Sequence, residues 1–140
     1  MRTVVKFFLH LTTLAVFFAS VPAFADDAAP APAAAVPGAP SDDACKANPQ
    51  DPVTQGGCLV ISQQKGNCVA CHEVQGANLP GNVGPPLSSM KQRFPDKAKL
   101  RAQIWDPSVN NPRTAMPPFG KNHILTEDEI DKVVEFIYTL

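Results

Sequence analysis

Towards the end of the chain, apolar residues fall on one side of a helix. Ile130, Val133, Val134, Ile137 and Tyr138 recur at helical spacing with charged residues between them, so one stripe of a C-terminal helix is expected to be buried. Its start is also written locally. Thr126 stands as the N-cap, Glu129 three residues on closes a capping box, and Leu125 can staple onto Ile130 across the cap. Glu127, Asp128 and Glu129 suit the positive end of the helix dipole.

Weaker patterns predict two more helices. Val53 to Lys65 (VTQGGCLVISQQK) runs up to Gly66, which is placed as a C-terminal stop. Pro95 to Asp106 (PDKAKLRAQIWD) opens on a proline, sets Leu100 and Ile104 four apart with Trp105 beside them, and is ended by Pro107. Between the helices lie GANLPGNVGPP (76–86) and NNPRTAMPPFG (110–120). No stretch shows strand alternation. The expected fold is all-α, a small domain of about three to four helices with long Gly/Pro loops, and such loops need something to organise them.

Two segments stand outside that domain. Arg2 and Lys6 precede an apolar run from Phe7 to Ser20, and Ala23-Phe24-Ala25 offers the small residues that a signal peptidase reads. The run falls short of the ~20 residues of a spanning helix. Residues 1–25 are therefore expected to be a cleaved signal peptide, with the mature protein in the periplasm and no stable membrane anchor. The next stretch, DDAAPAPAAAVPGAPS, is almost wholly Ala and Pro, so 26–44 is expected to be a semi-stiff tether with polyproline II character. The domain then covers 45–140.

Composition adds modest constraints. Hydrophobic residues make up 44% of the 140, which is ordinary, and aromatic residues 7%, which is sparse. Lys and Arg number 12 against 13 Asp and Glu. Loss of Arg2 and Lys6 would leave a formal charge of −3, which argues against nucleic acid or an anionic membrane surface as partner. Lys91, Arg93, Lys97, Lys99 and Arg101 do form a basic stretch, but a solvated helix face explains them as well as a docking patch does.

The chemistry is concentrated in Gly66 to Gly76, GNCVACHEVQG. Its C-x-x-C-H run could clamp zinc, shuttle a disulfide or attach a haem. Zinc wants four ligands, usually with a second Cys/His pair at similar spacing. Beyond the leader only His123 remains, while Cys45 and Cys58 lie far apart. A thioredoxin-like dithiol wants a βαβ pattern, which is absent. Haem fits: Cys68 and Cys71 can both add to vinyl groups on one side of a porphyrin, and His72 then reaches the iron axially. One covalent haem c would also supply the core that the loops lack.

The opposite axial ligand must come from downstream, where the candidates are Met90, Met116 and His123. Met116 sits in NPRTAMPP, whose prolines hold the backbone extended and present the side chain, and a thioether suits an electron acceptor by raising the reduction potential. Met90 reads as packing and His123 as a surface residue. The other ring nitrogen of His72 needs an acceptor, and Gly84-Pro85-Pro86-Leu87 offers the Pro85 carbonyl. With both other thiols on haem, Cys45 and Cys58 are left to pair with each other in an oxidising compartment. A free thiol or a bond to another chain is the alternative.

Gly66-Asn67-Cys68-Val69-Ala70-Cys71-His72, Gly84-Pro85-Pro86-Leu87, LRAQIWDPSVNNPRTAMPPFG and ILTEDEIDKVVEFIYTL together resemble SoxX. This is the family of monohaem, class I cytochrome c-like subunits of the SoxAX complex in bacterial sulfur oxidation. The resemblance covers about residues 55 to 140. It implies the redox subunit of an L-cysteine S-thiosulfotransferase that couples thiosulfate to a cysteine of the carrier SoxYZ. The catalytic cysteine-ligated haem belongs to the SoxA partner, so no residue of this chain is implied as catalytic. Carried over, Cys68 and Cys71 attach the haem, His72 and Met116 ligate iron, and electrons leave to a soluble cytochrome. Only FGKNHIL separates the Met-Pro-Pro loop from the last helix, a short form that goes with a third small subunit in some systems. The competing reading is a free periplasmic carrier with no enzymatic partner.

Overall fold

A computed structural model describes residues 38–140. The expected signal peptide and most of the Ala/Pro tether lie outside the described residues. Five α-helices and two short 3-10 turns make up the regular structure, with no strand among the described residues. The fold is that of the small all-α domain that the sequence predicts.

The last helix, α5 (Glu127–Ile137), is its hub. Glu129 N–H donates to Thr126 Oγ1 at 3.2 Å and Thr126 N–H donates to the Glu129 carboxylate at 2.9 Å, which closes the capping box. Ile130, Val133, Val134, Phe136 and Ile137 are buried, and Leu125 joins Ile130 in the same core. Phe136 widens the buried stripe beyond the residues that periodicity alone marks.

A second helix, α2 (Pro52–Ile61), crosses α5. Asp51 caps it by accepting from Thr54 N–H at 2.7 Å, and Pro52 occupies the first turn, where no amide donor is required. The crossing depends on two glycines. A Cβ on Gly56 would lie 1.9 Å from the Lys132 carbonyl oxygen, and one on Gly57 would lie 3.1 Å from the Phe136 ring. Each glycine costs about 1 kcal/mol of helix propensity. The close backbone approach to α5 is what that cost permits.

Helix α2 stops at Ile61, short of the expected end at Lys65. Ser62 turns extended, and the chain folds back so that Gly66 N–H donates to the Leu59 carbonyl at 3.1 Å and Asn67 N–H to that of Ser62 at 2.9 Å. Gly66 is not the left-handed stop that its position suggested. Asn67 takes the left-handed conformation, at φ 46°, while Gly66 lets the Leu59 carbonyl approach: a Cβ there would meet it at 2.7 Å.

The third predicted helix is α4 (Lys97–Trp105). It begins after Pro95, because Asp96 takes the cap and accepts from Ala98 N–H at 2.8 Å. Leu100 and Ile104 face the core. Along its outer edge Lys97 reaches Glu135 at 2.7 Å, and Arg101 reaches Asp131 at 2.6 Å and Glu127 at 3.2 Å. Two of the five residues of the basic stretch are thus paired with α5 acids.

Helices α1 (Asp42–Lys46) and α3 (Met90–Arg93) are too short to show an apolar period, so the pattern did not reveal them. Ordered contacts start ahead of Cys45. Ser41 caps α1, Ala39 N–H donates to the Gln75 carbonyl at 2.7 Å, and Pro40 packs on Gly57.

Candidate functional site

Cys68, Val69 and Ala70 form a 3-10 turn whose opening carbonyl accepts from both Cys71 N–H (3.1 Å) and His72 N–H (2.9 Å). This double bond to one carbonyl fixes the two thiols and the imidazole relative to one another. Cys68 and Cys71 are not disulfide-bonded, and burial pushes the Cys68 thiol up to about 11. Among the described residues, no three His, Cys, Asp or Glu side chains converge as ligands of one ion would.

The loop after His72 is laced onto this turn by backbone bonds. Gly81 N–H donates to Val69 O (2.7 Å), Gly84 N–H to Cys71 O (2.7 Å), and Leu87 N–H to Glu73 O (2.8 Å). Glycine is needed at both close points. A Cβ on Gly81 would lie 2.0 Å from Ala70 O, and one on Gly84 would lie 2.3 Å from Cε1 of His72. Pro85 then presents its carbonyl 2.7 Å from His72 Nδ1. A carbonyl can only accept, so Nδ1 carries the proton and Nε2 is left with its lone pair for a metal. Arg93 donates to the carbonyl of Pro86 and so braces the loop that holds Pro85. Sequence reasoning missed Gly81 and Arg93; the Gly-rich spacing was a signal for the first, and nothing local marks the second.

Met116 lies on a separate loop and is half-buried against the core. The loop leaves α4 through Asp106, which caps the 3-10 turn Pro107–Val109. Asn111 Oδ1 accepts from Arg113 N–H at 3.1 Å, and Thr114 Oγ1 accepts from Met116 N–H at 3.1 Å. The other motif residues of this run are therefore turn-formers that set the backbone at Met116. Of the alternatives, Met90 is buried in the core at 2% exposure, and His123 is exposed at φ 54°. Cys45 and Cys58 are joined, with Cα atoms 5.6 Å apart, and tie α1 to α2.

The residues present fit a covalently held haem: two thiols on one turn, a histidine with its tautomer set, and a glycine, Gly84, where a side chain would push that histidine aside. Residues 60–137, more than half of the chain, match the family described as cytochrome C oxidase, cbb3-type, subunit III. The chain belongs to this family of cytochrome c-type domains. The match runs from Val60 in α2 to the end of α5, so it takes in the C-x-x-C-H turn, the Pro85 loop and Met116 but not the disulfide. Haem c is the cofactor the family implies, and electron transfer is the chemistry that such a group supplies when bound. A protein of Aquifex aeolicus described as an uncharacterized lipoprotein is 32% identical over 76 residues. That stretch is 54% of this chain and 37% of the relative, so the chain spans well under half the length of the relative it matches.

Proposed function

We propose that this chain is a periplasmic monohaem cytochrome c in which Cys68 and Cys71 hold a single haem and His72 and Met116 ligate its iron. We further infer that it serves as the electron-accepting subunit of a SoxAX-like thiosulfotransferase. The observation that carries the first part is His72: its Nδ1 is 2.7 Å from Pro85 O and its ring lies against Gly84, so only Nε2 is left as a ligand. The second part is supported by the resemblance of the run from Leu100 to Gly120 to SoxX, a run in which Asp106, Asn111 and Thr114 build the Met116 loop.

In the proposed reaction a carrier cysteine loses its thiol proton and forms a sulfur–sulfur bond to thiosulfate. The product is a cysteine S-thiosulfonate, and two electrons are released. This chain would accept them one at a time and pass them to a soluble cytochrome; the bond-forming site would belong to the SoxA-like partner. A free carrier is the second reading. Against it, Lys97 and Arg101 of the basic stretch are paired with Glu135, Asp131 and Glu127, which lessens the one-sign charge available to steer a free carrier.

Purification of the chain from its native periplasm tests both parts. One covalent haem with a far-red ferric charge-transfer band, lost in Met116→Ala, is expected; a band that survives the substitution overturns the ligand assignment. Recovery with a larger cysteine-ligated cytochrome supports the subunit reading, and recovery alone favours the carrier.

A further inference from the structure

The loop that carries Met116 begins and ends on the last turn of α4. Gly120 N–H and Lys121 N–H both donate to the Trp105 carbonyl at 3.2 Å, and Phe119 N–H donates to that of Ile104 at 3.3 Å. Gly120 lies flat on the Trp105 ring, where a Cβ would sit 2.2 Å from Cε3. At this junction Asp106 is the buried charged residue of the described core, at 9% exposure. Its carboxylate accepts from Ser108 N–H (3.1 Å), from the Ser108 hydroxyl and from Lys121 Nζ (2.8 Å). Lys121 first and Ser108 second hold the Asp106 carboxyl below its ordinary range.

Asp106 therefore bonds to both ends of the loop, to its first turn through Ser108 and to its returning end through Lys121. Neither Asp106 nor Lys121 is a candidate ligand. We propose that the Asp106–Lys121 pair is a clasp that positions Met116, setting how readily an external ligand displaces its thioether from the iron. The proposal rests on the reading of Met116 as the distal ligand. Physically, an unclasped loop gains open conformations, and opening of the loop would carry Met116 away from its place opposite His72. An exposed ion pair would contribute little to this. Here one partner is buried and held by a second donor, so less freedom remains to be lost when the pair forms.

The test is imidazole titration of the ferric holoprotein, with amide hydrogen exchange of residues 111–116 followed in parallel. Lys121→Gln is expected to bind imidazole at least about threefold more tightly than the unsubstituted protein and to exchange faster in the loop. Lys121→Arg, which keeps the charge, should restore both values. Lys97→Gln removes an ion pair of similar length between α4 and α5 and should change neither, which separates clasp loss from general destabilisation. Wild-type affinity and exchange in Lys121→Gln would overturn the clasp. Met116→Ala distinguishes the two failures. If it binds imidazole no more tightly than the unsubstituted protein, the ligand reading falls and the clasp with it; if it binds far more tightly while Lys121→Gln is unchanged, only the clasp falls.

Discussion

Gly84 lies face-on to the imidazole of His72, so close that an added Cβ would sit 2.3 Å from Cε1 and 2.5 Å from Nδ1. The side chain that glycine lacks would occupy the space of the ring. Gly84→Ala should therefore push the imidazole off the Pro85 carbonyl. The expected cost is about 1–3 kcal/mol of overpacking in guanidinium denaturation of the holoprotein. The His72 Nδ1 proton should also lose its slow exchange by NMR. Retention of that protected proton would show that the loop yields without disturbing the histidine.

At the α2–α5 crossing the sign of one substitution is diagnostic. Alanine for a helical glycine on an exposed face would add about 1 kcal/mol of stability. Gly56→Ala should do the opposite, losing about 3 kcal/mol, because its Cβ would meet the Lys132 carbonyl at 1.9 Å and neither backbone can retreat without separating the helices. Thermal unfolding would read the sign directly.

The disulfide lies apart from the C-x-x-C-H turn, between α1 and α2. Replacing Cys45 and Cys58 together by serine opens a loop with a sequence separation of 13 and should cost about 3 kcal/mol. The visible spectrum should not change. A spectral shift in the double variant would mean that α1 also shapes the haem surroundings.

Acid should unfold the domain through three identified carboxylates. Asp51 is held below its ordinary 3.8 by the Thr54 amide, and Asp106 below the same value by Lys121 and then Ser108. For Glu129, burial works to raise the value, but the bonds from Lys65 and Thr126 outweigh it and leave it below 4.5. Since each folded value is depressed, the stability they contribute is fully present above about pH 5 and is lost as pH falls through the folded values. A series of melting temperatures should be flat in these groups from about pH 5 upward and fall below about pH 4. Asp106→Asn should flatten part of the fall; an unchanged acid slope in that variant would remove Asp106 from the account.

What could be read from the sequence is what neighbouring residues decide among themselves. The Thr126–Glu129 capping box, the stripe from Ile130 to Ile137 and the C-x-x-C-H turn each close within a few residues, so spacing is enough to show them. The Pro85 acceptor was also within reach, because a proximal histidine needs one and a Gly-Pro loop lies just downstream. Helix ends were less legible. Gly66 looked like a stop, but Leu59 required its missing side chain while Asn67 made the left-handed turn.

Tertiary structure alone decided the rest. Gly56 against Lys132, Lys97 with Glu135, and Asp106 with Lys121 pair residues that no local period relates. Their meaning depends on which backbone or charge the fold brings opposite them. A glycine in a helix pattern reads as a weakness until the partner helix is in place, and an Asp-Pro helix end reads as a terminator until the return of the loop brings its lysine. The C-x-x-C-H turn and the Pro85 acceptor were therefore legible from local chemistry, whereas Arg93 on the Pro86 carbonyl and Lys121 on Asp106 became visible only when the chain had folded back on itself.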